Sequence, residues 1–425
     1  MEEKTMKKVL AVMLAAIMLF ALAACGGNGG TGDDKGMSES PIAEVALNID
    51  YEVPADFKIG FICLHDENST YDKNFLNAVD TIKEALKLTD EQVIVRVNVP
   101  EGNECYVAAK DLVTEGCKIV FANSFGHEDF MIQAAKEFPE VEFCHATGTK
   151  AHTEGVDNYH NAFASIYEGR YLAGVAAGMK LNEMIAAGQF TAEEAKMGYV
   201  GAFTYAEVIS GYTSFYLGAK SVCPTVTMDV QFTGSWYDAT EEKNAAEALI
   251  ARGCKLISQH ADSMGAPGAC EAAGVPNVSY NGSTYDACSE TFIVSSAINW
   301  TPYYNYIIGQ YIKGEEIAAD WCGGIAEGSV VLTGINQDVA AEGTFDKIQA
   351  LVEDLKAGEV KVFDTANFTV GGEAVTSFLA DVDDAGDNVG ETEAIAEGYF
   401  DESAHRSAPY FSMRIDGITL LNEMY

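Results

Sequence analysis

The chain is poor in basic residues. Its 26 lysines and arginines stand against 64 aspartates and glutamates, which gives a formal net charge of −38. This balance argues against nucleic acid as a partner, because binding to a phosphate backbone depends on basic side chains. The chain has 425 residues, of which 48% are hydrophobic, so it can form the cores of two domains of ordinary size.

The common motifs of cofactor, metal and catalytic sites are missing as well. No G-x-G-x-x-G follows a predicted strand, and G-x-x-x-x-G-K-[ST], G-x-S-x-G and H-E-x-x-H do not occur. The ten cysteines include no C-x-x-C pair, so neither a zinc ribbon nor a thioredoxin motif is supported. His127, His145 and His260 all follow predicted strands, which leaves a zinc site as an open alternative. We expect no cofactor and no enzymatic activity.

A long apolar run occurs only at the N-terminus. Lys7 and Lys8 precede an apolar stretch that ends in Leu22-Ala23-Ala24-Cys25. This order predicts a signal peptide over 1–24, and the apolar stretch is too short for a membrane-spanning helix. Cys25 directly after the small residues resembles the lipobox of bacterial lipoproteins, which implies a lipid on its thiol and attachment to the membrane. We interpret residues 25–50 as this lipidated cysteine and a flexible tether.

From Lys58 onward, strand and helix patterns alternate. Lys58–Cys63 is a short apolar run, typical of a strand that is buried on both faces. From Asp72, apolar residues recur at steps of four, three and four, which is one face of a helix. Similar pairs follow to about residue 357 and predict an α/β fold with parallel sheets. Within one long helix, Gly174 and Gly178 have the spacing that allows close packing against a neighbouring backbone.

One short echo indicates an internal duplication. Glu115–Val120 and Arg252–Ile257 each end a predicted helix and begin a predicted strand, with a glycine at the same place. A glycine there fits a left-handed helix end. We therefore expect a two-lobed fold with a site in the cleft, each lobe being a parallel sheet flanked by helices. Lobe 1 is predicted to contain 57–147 and about 281–297, and lobe 2 to contain 148–280 and about 298–425.

Polar and aromatic residues cluster directly after the predicted strands, where open parallel sheets bind their ligands. Aromatic rings there can enclose a flat ligand, and carboxylates can accept its N–H groups. Each aromatic residue taken alone is better explained by core packing, whereas the set as a whole favours the cleft. We expect Phe75, Trp236 and Trp300 to stack on the ligand. The full set of candidate ligand-binding residues is His65, Asp66, Tyr71, Phe75, Phe125, Gly126, His127, Thr147, Glu207, Trp236, His260, Asp262, Thr284, Asn299 and Trp300.

Several segments resemble the basic membrane protein family, which are lipid-anchored solute-binding components of ABC transporters. The resemblance is carried by Asp72-Lys73-Asn74-Phe75, by the run Glu168–Gly178 and by residues 232–263, and it spans roughly 58–335. It implies the two-lobed type I periplasmic binding protein fold and a purine-like ligand in the interlobe cleft. It also implies permease and ATPase subunits as partners, and a position at the cell membrane facing outside the cytoplasm.

The chain departs from the nucleoside binders of that family at three positions. Leu76, Thr284 and Asn299 stand where the resemblance places an asparagine, a ribose-binding aspartate and a lysine. A missing carboxylate removes a hydrogen bond of roughly 1.5–3 kcal/mol to a ribose hydroxyl, which favours a bare base over a nucleoside. A flavin receptor, a ligand sensor for a signalling partner and a nucleoside hydrolase remain alternatives.

Overall fold

Two mainly parallel sheets organise the chain. The computed structural model describes residues 36–383 and 390–425, so the predicted signal peptide and Cys25 lie outside the described residues. The strands are β1 (Ile59–Ile62), β2 (Val93–Arg96), β3 (Ile119–Ala122), β4 (Glu142–Ala146), β5 (Tyr159–Ala164), β6 (Lys196–Gly201), β7 (Thr227–Phe232), β8 (Leu256–His260), β9 (Asn277–Tyr280), β10 (Phe292–Ile298), β11 (Asp320–Gly323), β12 (Val330–Leu332), β13 (Thr369–Val370), β14 (Glu373–Ala374), β15 (Leu379–Ala380), β16 (Thr392–Glu393), β17 (Ile395–Ala396), β18 (Tyr399–Phe400) and β19 (Ile418–Leu420). The helices are α1 (Thr70–Leu86), α2 (Asn103–Thr114), α3 (Glu128–Glu137), α4 (Ala151–Glu154), α5 (Ile166–Ala186), α6 (Ala206–Val222), α7 (Ala239–Ala251), α8 (Gly265–Ala273), α9 (Thr301–Lys313) and α10 (Thr344–Lys356).

The two sheets repeat one strand order. The first sheet runs β11-β5-β4-β3-β1-β2 and the second β12-β10-β9-β8-β6-β7-β19, so each contains a second-first-third-fourth-fifth arrangement. All pairings in the first sheet are parallel, and in the second only β12 runs antiparallel. The echoed glycines Gly116 and Gly253 precede β3 and β8, the same strand of each lobe, with φ of 95° and 90°. The predicted two-lobed α/β fold is confirmed.

Helix α1 illustrates how local sequence builds this fold. Ser69 caps its N-terminus, since the Ser69 side chain accepts a hydrogen bond from the Asp72 amide. Phe75, Val79 and Ile82 form the buried stripe that the apolar spacing predicted. The helix begins at Thr70, one residue after this cap, and its first turn therefore carries Asp72 into the cleft between the lobes.

The predicted lobe boundaries need correction, because the chain crosses between the sheets three times. Strand β5 pairs with β4 in the first sheet, although residues 148–280 were expected in lobe 2. Strand β10 pairs with β9 in the second sheet, although 281–297 were expected in lobe 1. Helix α9 and β11 then return to the first sheet, since α9 packs on α1 and β11 pairs with β5. Lobe membership is decided by these nonlocal pairings.

The start of the described chain also corrects a prediction. Residues 36–50 were expected to belong to a flexible tether, yet they pack against the body of the protein. The Ser38 amide donates to the Ile335 carbonyl at 2.9 Å, and Ile42 is 4% exposed. Within 36–383 and 390–425, no helix has the length and apolar character needed to span a bilayer.

All nine cysteines after Cys25 lie in the described part of the chain, and none of them forms a disulfide there. Eight are buried, and Cys322 is partly exposed. Burial raises the pKa of Cys117 and Cys322 to about 11 and that of Cys254 to about 12. The thiols are therefore protonated and behave as small core side chains.

The long helix α5 packs directly on α6 through glycines, as the spacing predicted. A Cβ atom at Gly174 would lie 2.0 Å from the Phe215 carbonyl oxygen, and one at Gly178 would lie 2.5 Å from the Ala219 oxygen. From the other side, a Cβ at Gly218 would lie 2.0 Å from the Tyr171 oxygen. Backbone touches backbone here, so the two helices move as one body.

We expect Gly174→Ala to destabilise the protein, because the added methyl group forces α5 and α6 apart. Overpacking of this kind costs about 1–3 kcal/mol, and each kcal/mol lowers Tm by roughly 2–4 °C in a domain of this size. Circular dichroism during heating measures the effect. Gly268→Ala in α8 is the matched control, because its Cβ would meet no atom within 4 Å. Equal Tm values for both variants would contradict the close packing.

Candidate functional site

A chamber lies between the carboxyl ends of the two sheets. It encloses about 400 Å³, including its opening to solvent. Loops after β1, β3 and β4 line it from lobe 1, and loops after β6, β7, β8 and β9 line it from lobe 2. We call this space the inner chamber; its lining residues are Leu64, Tyr71, Asp72, Ser124, Phe125, Thr147, Glu207, Trp236, His260, Asp262 and Tyr280.

On the lobe 1 side, Asp72 is the buried acid. Its Oδ1 atom accepts hydrogen bonds from Asn123 Nδ2 at 2.7 Å and from the His65 amide at 3.0 Å. Its Oδ2 atom is buried and has no hydrogen-bond partner within the described residues. A carboxylate oxygen that has lost its water without a replacement is costly, so this atom is placed to accept a donor from a ligand.

On the lobe 2 side, Asp262 and Glu207 add two more acids. Asp262 Oδ1 accepts from Asn281 Nδ2 at 3.3 Å. Burial raises the pKa of Asp262 well above its ordinary value, and the nearby charges of Asp72 and Glu207 add to the shift. The His260 Nε2 atom lies 3.3 Å from Glu207 Oε1. Burial lowers the pKa of His260 despite this contact, so the imidazole is neutral and donates to the carboxylate.

Aromatic rings form the walls. The Phe125 ring of lobe 1 stacks on Tyr205 of lobe 2, with centroids 5.4 Å apart. Trp236 meets Phe203 edge to face at 5.2 Å. Tyr71 is fixed by its hydroxyl group, which donates to the Asn123 carbonyl at 2.6 Å. The chamber thus combines flat apolar surfaces with acceptor groups, an arrangement suited to a planar ligand with N–H donors.

The lobes are closed on each other. The Thr70 amide and hydroxyl both donate to the Asp262 carbonyl, at 3.2 and 3.1 Å. Asn74 Nδ2 donates to Asn281 Oδ1 at 3.3 Å. These bonds join the first turns of α1 to the loops after β8 and β9, so the two lobes are in direct contact beside the chamber.

A buried cation lies behind the lobe 2 wall. Arg170 of α5 is 0% exposed, and its guanidinium group is 5.0 Å from the centroid of the Tyr280 ring. Nη2 donates to Tyr199 Oη at 3.0 Å and to Ser258 Oγ at 2.9 Å. Arg170 therefore places a positive charge behind the Tyr280 ring and does not itself line the chamber. The sequence analysis missed it, although it lies within the Glu168–Gly178 run.

The structure brings part of the predicted set together. Seven candidates line the inner chamber: Tyr71, Phe125, Thr147, Glu207, Trp236, His260 and Asp262. Four lining residues were not in the set, namely Leu64, Asp72, Ser124 and Tyr280. Each of the four lies within two residues of a strand end or in a quoted motif, so taking every position of those loops would have found them.

The stacking prediction for Phe75 and Trp300 needs correction. Their rings stack on each other with centroids 4.5 Å apart, and each side chain is 1% exposed. Both belong to the lobe 1 core and do not line the inner chamber. Phe75 supports the site indirectly, because it packs edge to face against Tyr71 at 4.8 Å.

Four further candidates lie beside the chamber without lining it. His65 contacts the Tyr237 ring across the lobes, with centroids 5.6 Å apart. Asp66 is tied to the side chains of Asn68 and Asn98 at the surface. The Gly126 amide donates to Glu101 at 2.8 Å. His127 is buried with Nε2 3.0 Å from the Val99 carbonyl oxygen, so it orders the loop after β3.

Thr284 and Asn299 also lie outside the chamber. Thr284 is buried, with its hydroxyl 2.8 Å from that of Ser279. Asn299 sits at the second crossing between the lobes, where its side chain donates to the Gly328 carbonyl at 3.1 Å. Neither position supplies a lining side chain to the inner chamber, and the preference for a base over a nucleoside stays a prediction.

The histidines do not form a metal site. His127 and His145 bind separate backbone carbonyls, and burial lowers the pKa of each to about 4. Among residues 36–383 and 390–425, the only three potential metal ligands that come close together are Asp381, Asp383 and Glu391, away from the inner chamber.

The sequence of this chain matches known transport proteins. The family model described as ABC transporter substrate-binding protein PnrA-like matches residues 62–366. A purine-binding protein of Brucella abortus is 31% identical over 300 residues, which cover 68% of this chain and 81% of that protein. A putative ABC transporter glucose-binding protein of Haloferax volcanii is 32% identical over 245 residues, which cover 58% of this chain and 59% of that protein.

Solved structures show the same fold. An ABC transporter solute-binding protein from Conexibacter woesei superposes with a TM-score of 0.57 and 20% sequence identity, covering 72% of this chain and 98% of that one. At this identity the likeness concerns the fold alone.

We expect Asp262→Asn to raise the Tm of the unliganded protein at neutral and higher pH. In the unfolded chain, Asp262 loses its proton near the ordinary pKa of about 3.9. In the folded protein its pKa is well above that value, so it keeps the proton to higher pH. The free energy of unfolding therefore falls as the pH rises from the unfolded pKa towards the folded one. Asparagine keeps the oxygen that accepts from Asn281 and removes this loss. Each kcal/mol of unfolding free energy that the variant gains should raise Tm by roughly 2–4 °C. Thermal unfolding from pH 5 to pH 9 measures this difference in Tm.

The exposed Asp111→Asn, on α2, serves as the control. If both variants show the same pH dependence as the parent protein, Asp262 does not carry the buried proton.

Proposed function

Since the chain belongs to the family of PnrA-like ABC transporter substrate-binding proteins, we propose that it captures a purine-like small molecule outside the cytoplasm and delivers it to the permease and ATPase subunits of an importer. The Brucella relative, named as purine-binding, supports the ligand class. The observation that carries the proposal is the inner chamber, in which acids from both lobes face each other between aromatic walls.

A purine fits this chemistry for two reasons. Its N–H groups can donate to the buried Asp72 Oδ2 and to Glu207, and a hydrogen bond to a charged group is worth roughly 1.5–3 kcal/mol. Its flat ring can pack against Trp236 and Phe125, and stacking of a base on an aromatic side chain contributes about 1–3 kcal/mol. The ligand is released unchanged when the hinge opens, so incubation followed by chromatography should recover it intact.

Membrane attachment through Cys25 is part of the same proposal. The support is the sequence Leu22-Ala23-Ala24 directly before this cysteine, in which two small residues follow a leucine. We expect Cys25→Ser to move the protein from the membrane fraction to the soluble fraction of the source cells, since lipid on the thiol is the anchor. Immunoblotting of the two fractions measures this, and continued membrane association of the variant would contradict the lipid anchor.

We expect titration calorimetry with adenine, guanine, hypoxanthine and their nucleosides to show binding by at least one of them. Asp72→Asn should weaken that binding by about 10–100-fold, because the ligand loses a hydrogen bond to a charged oxygen. Asp80→Asn, on the exposed face of the same helix, is the matched control and should bind as the parent does. Heat with D-glucose and with no heterocycle would overturn the purine proposal.

A further inference from the structure

A segment before β1 passes over the connections between the lobes. It consists of residues 36–51, which we call the N-terminal strap, and the family model begins only at residue 62. Asn299 lies on the second connection and Gly328 on the third. Both line a groove together with residues 40 and 42–47 of the strap, and this groove encloses about 1160 Å³, including its opening to solvent. A Cβ atom at Gly328 would lie 2.8 Å from the Cβ atom of Val45, so the strap touches the third connection directly.

One end of the strap is bonded to lobe 2. The Ser38 amide donates to the Ile335 carbonyl at 2.9 Å, and the Ile335 amide donates to Ser38 Oγ at 2.9 Å. Residues 333–338, which follow β12, are held by the second sheet, because the Asn336 amide donates to the Ile293 carbonyl of β10 at 2.9 Å. This end of the strap therefore belongs to lobe 2.

The other end of the strap is bonded to lobe 1 through α9. The Tyr51 hydroxyl donates to Asn305 Oδ1 at 2.8 Å, and Asn305 Nδ2 donates to the Asn48 carbonyl at 3.0 Å. Lys313, the last residue of α9, pairs with Asp50 at 2.5 Å. Helix α9 packs on α1, whose first turns contact lobe 2 beside the chamber. This end of the strap therefore belongs to lobe 1.

The middle of the strap lacks such bonds. Within the described part of the chain, residues 43–47 make no hydrogen bond to any other residue. Ala43, Glu44 and Ala46 are exposed, and Val45 is 41% exposed. The strap is thus fastened at two points, one on each lobe, with an unbonded stretch between them that lies over the connections.

The two points of attachment lie on bodies that move relative to each other when the gap between the lobes opens. A short strap can keep both sets of bonds only while its two attachment points stay within its reach. Contacts that exist in only one of two conformations shift the population toward that conformation. We propose that the N-terminal strap is a clasp that favours the arrangement in which the lobes touch, and that the length of its unbonded stretch sets how often the gap opens. The clasp acts whichever ligand the chamber binds.

The Thr70 amide reports on the opening of the gap. It lies in the first turn of α1, where backbone N–H groups have no acceptor within the helix. Its acceptor is the Asp262 carbonyl of the other lobe, at 3.2 Å. When the lobes separate, this amide loses that acceptor, so its hydrogen-exchange rate in the unliganded full chain measures the open fraction. The amides of β1, inside the first sheet, measure unfolding of lobe 1 in the same sample.

We expect a longer strap to let the gap open more often. An insertion of about 15 glycine and serine residues after Glu44 makes the unbonded stretch about fourfold longer and leaves both ends unchanged. Loop-closure entropy then predicts roughly 8-fold faster exchange of the Thr70 amide, while the β1 amides exchange as in the parent protein. The same insertion after Gly188 is the control, because it lengthens an exposed turn within lobe 2 and should leave Thr70 exchange unchanged.

A point variant tests the attachment to lobe 1. Tyr51→Phe removes the hydroxyl group that donates to Asn305 and keeps the ring, so Thr70 exchange should rise roughly 2–10-fold, the equivalent of one net hydrogen bond. Tyr106→Phe on α2 is the matched control. Its hydroxyl group bonds to Glu137 within lobe 1 alone, so the loss should leave Thr70 exchange unchanged. Tyr51 and Tyr106 both lie outside the lining of the inner chamber.

Two results would overturn the clasp. One is Thr70 exchange at the parent rate in both the lengthened strap and Tyr51→Phe. The other is an equal rise in exchange for Thr70 and for the β1 amides, which would mean that the strap stabilises lobe 1 as a whole and not the contact between the lobes. Both measurements use the protein without a ligand, so they are independent of the calorimetry that tests the proposed function.

Discussion

Three carboxyl groups share one closed gap, and the described residues that line this gap include no lysine or arginine. Their mutual repulsion and their loss of water are the constraint on which the site depends. The protein meets it in two ways. Burial raises the pKa of Asp262, so this carboxyl group keeps its proton to a higher pH than an ordinary aspartate. Asp72 Oδ1 accepts hydrogen bonds from Asn123 Nδ2 and from the His65 amide. What remains unsatisfied, above all Asp72 Oδ2, is available to a donor from outside. The site is thus complementary to a ligand that supplies hydrogen-bond donors.

The sequence predicted the strand ends well, because apolar runs and glycine-marked helix ends are local signals. Since carboxyl ends of parallel strands meet at one sheet edge, residues such as Glu207, Trp236 and Asp262 were found without coordinates. Phe75 was assigned to the ligand even though its own helical stripe, with Val79 and Ile82, pointed to the core. The prediction relied on the aromatic character of Phe75, whereas the helical periodicity placed it in the core. The structure agrees with the periodicity.

Other features depend on contacts between residues that are far apart in the sequence, so short stretches of sequence could not predict them. Strands β5 and β10 are buried at every position, and nothing in their sequence says which sheet they join. The same holds for Trp300, whose core position follows from the second crossing between lobes. The position of residues 401–425 could not be predicted either, because their sequence shows no clear helix or strand periodicity. In the structure this segment ends beside Thr204.

The nine unpaired thiols have a consequence for handling the protein in air. While the chain is folded, burial keeps nearly all of them away from oxidants and in the unreactive protonated state. Once the chain unfolds, all nine become ordinary cysteines at the same moment, and random cross-links among them would block the return to the native state. Heating without a reductant would then measure a rate of inactivation that depends on scan speed, and only a reducing buffer would give an equilibrium.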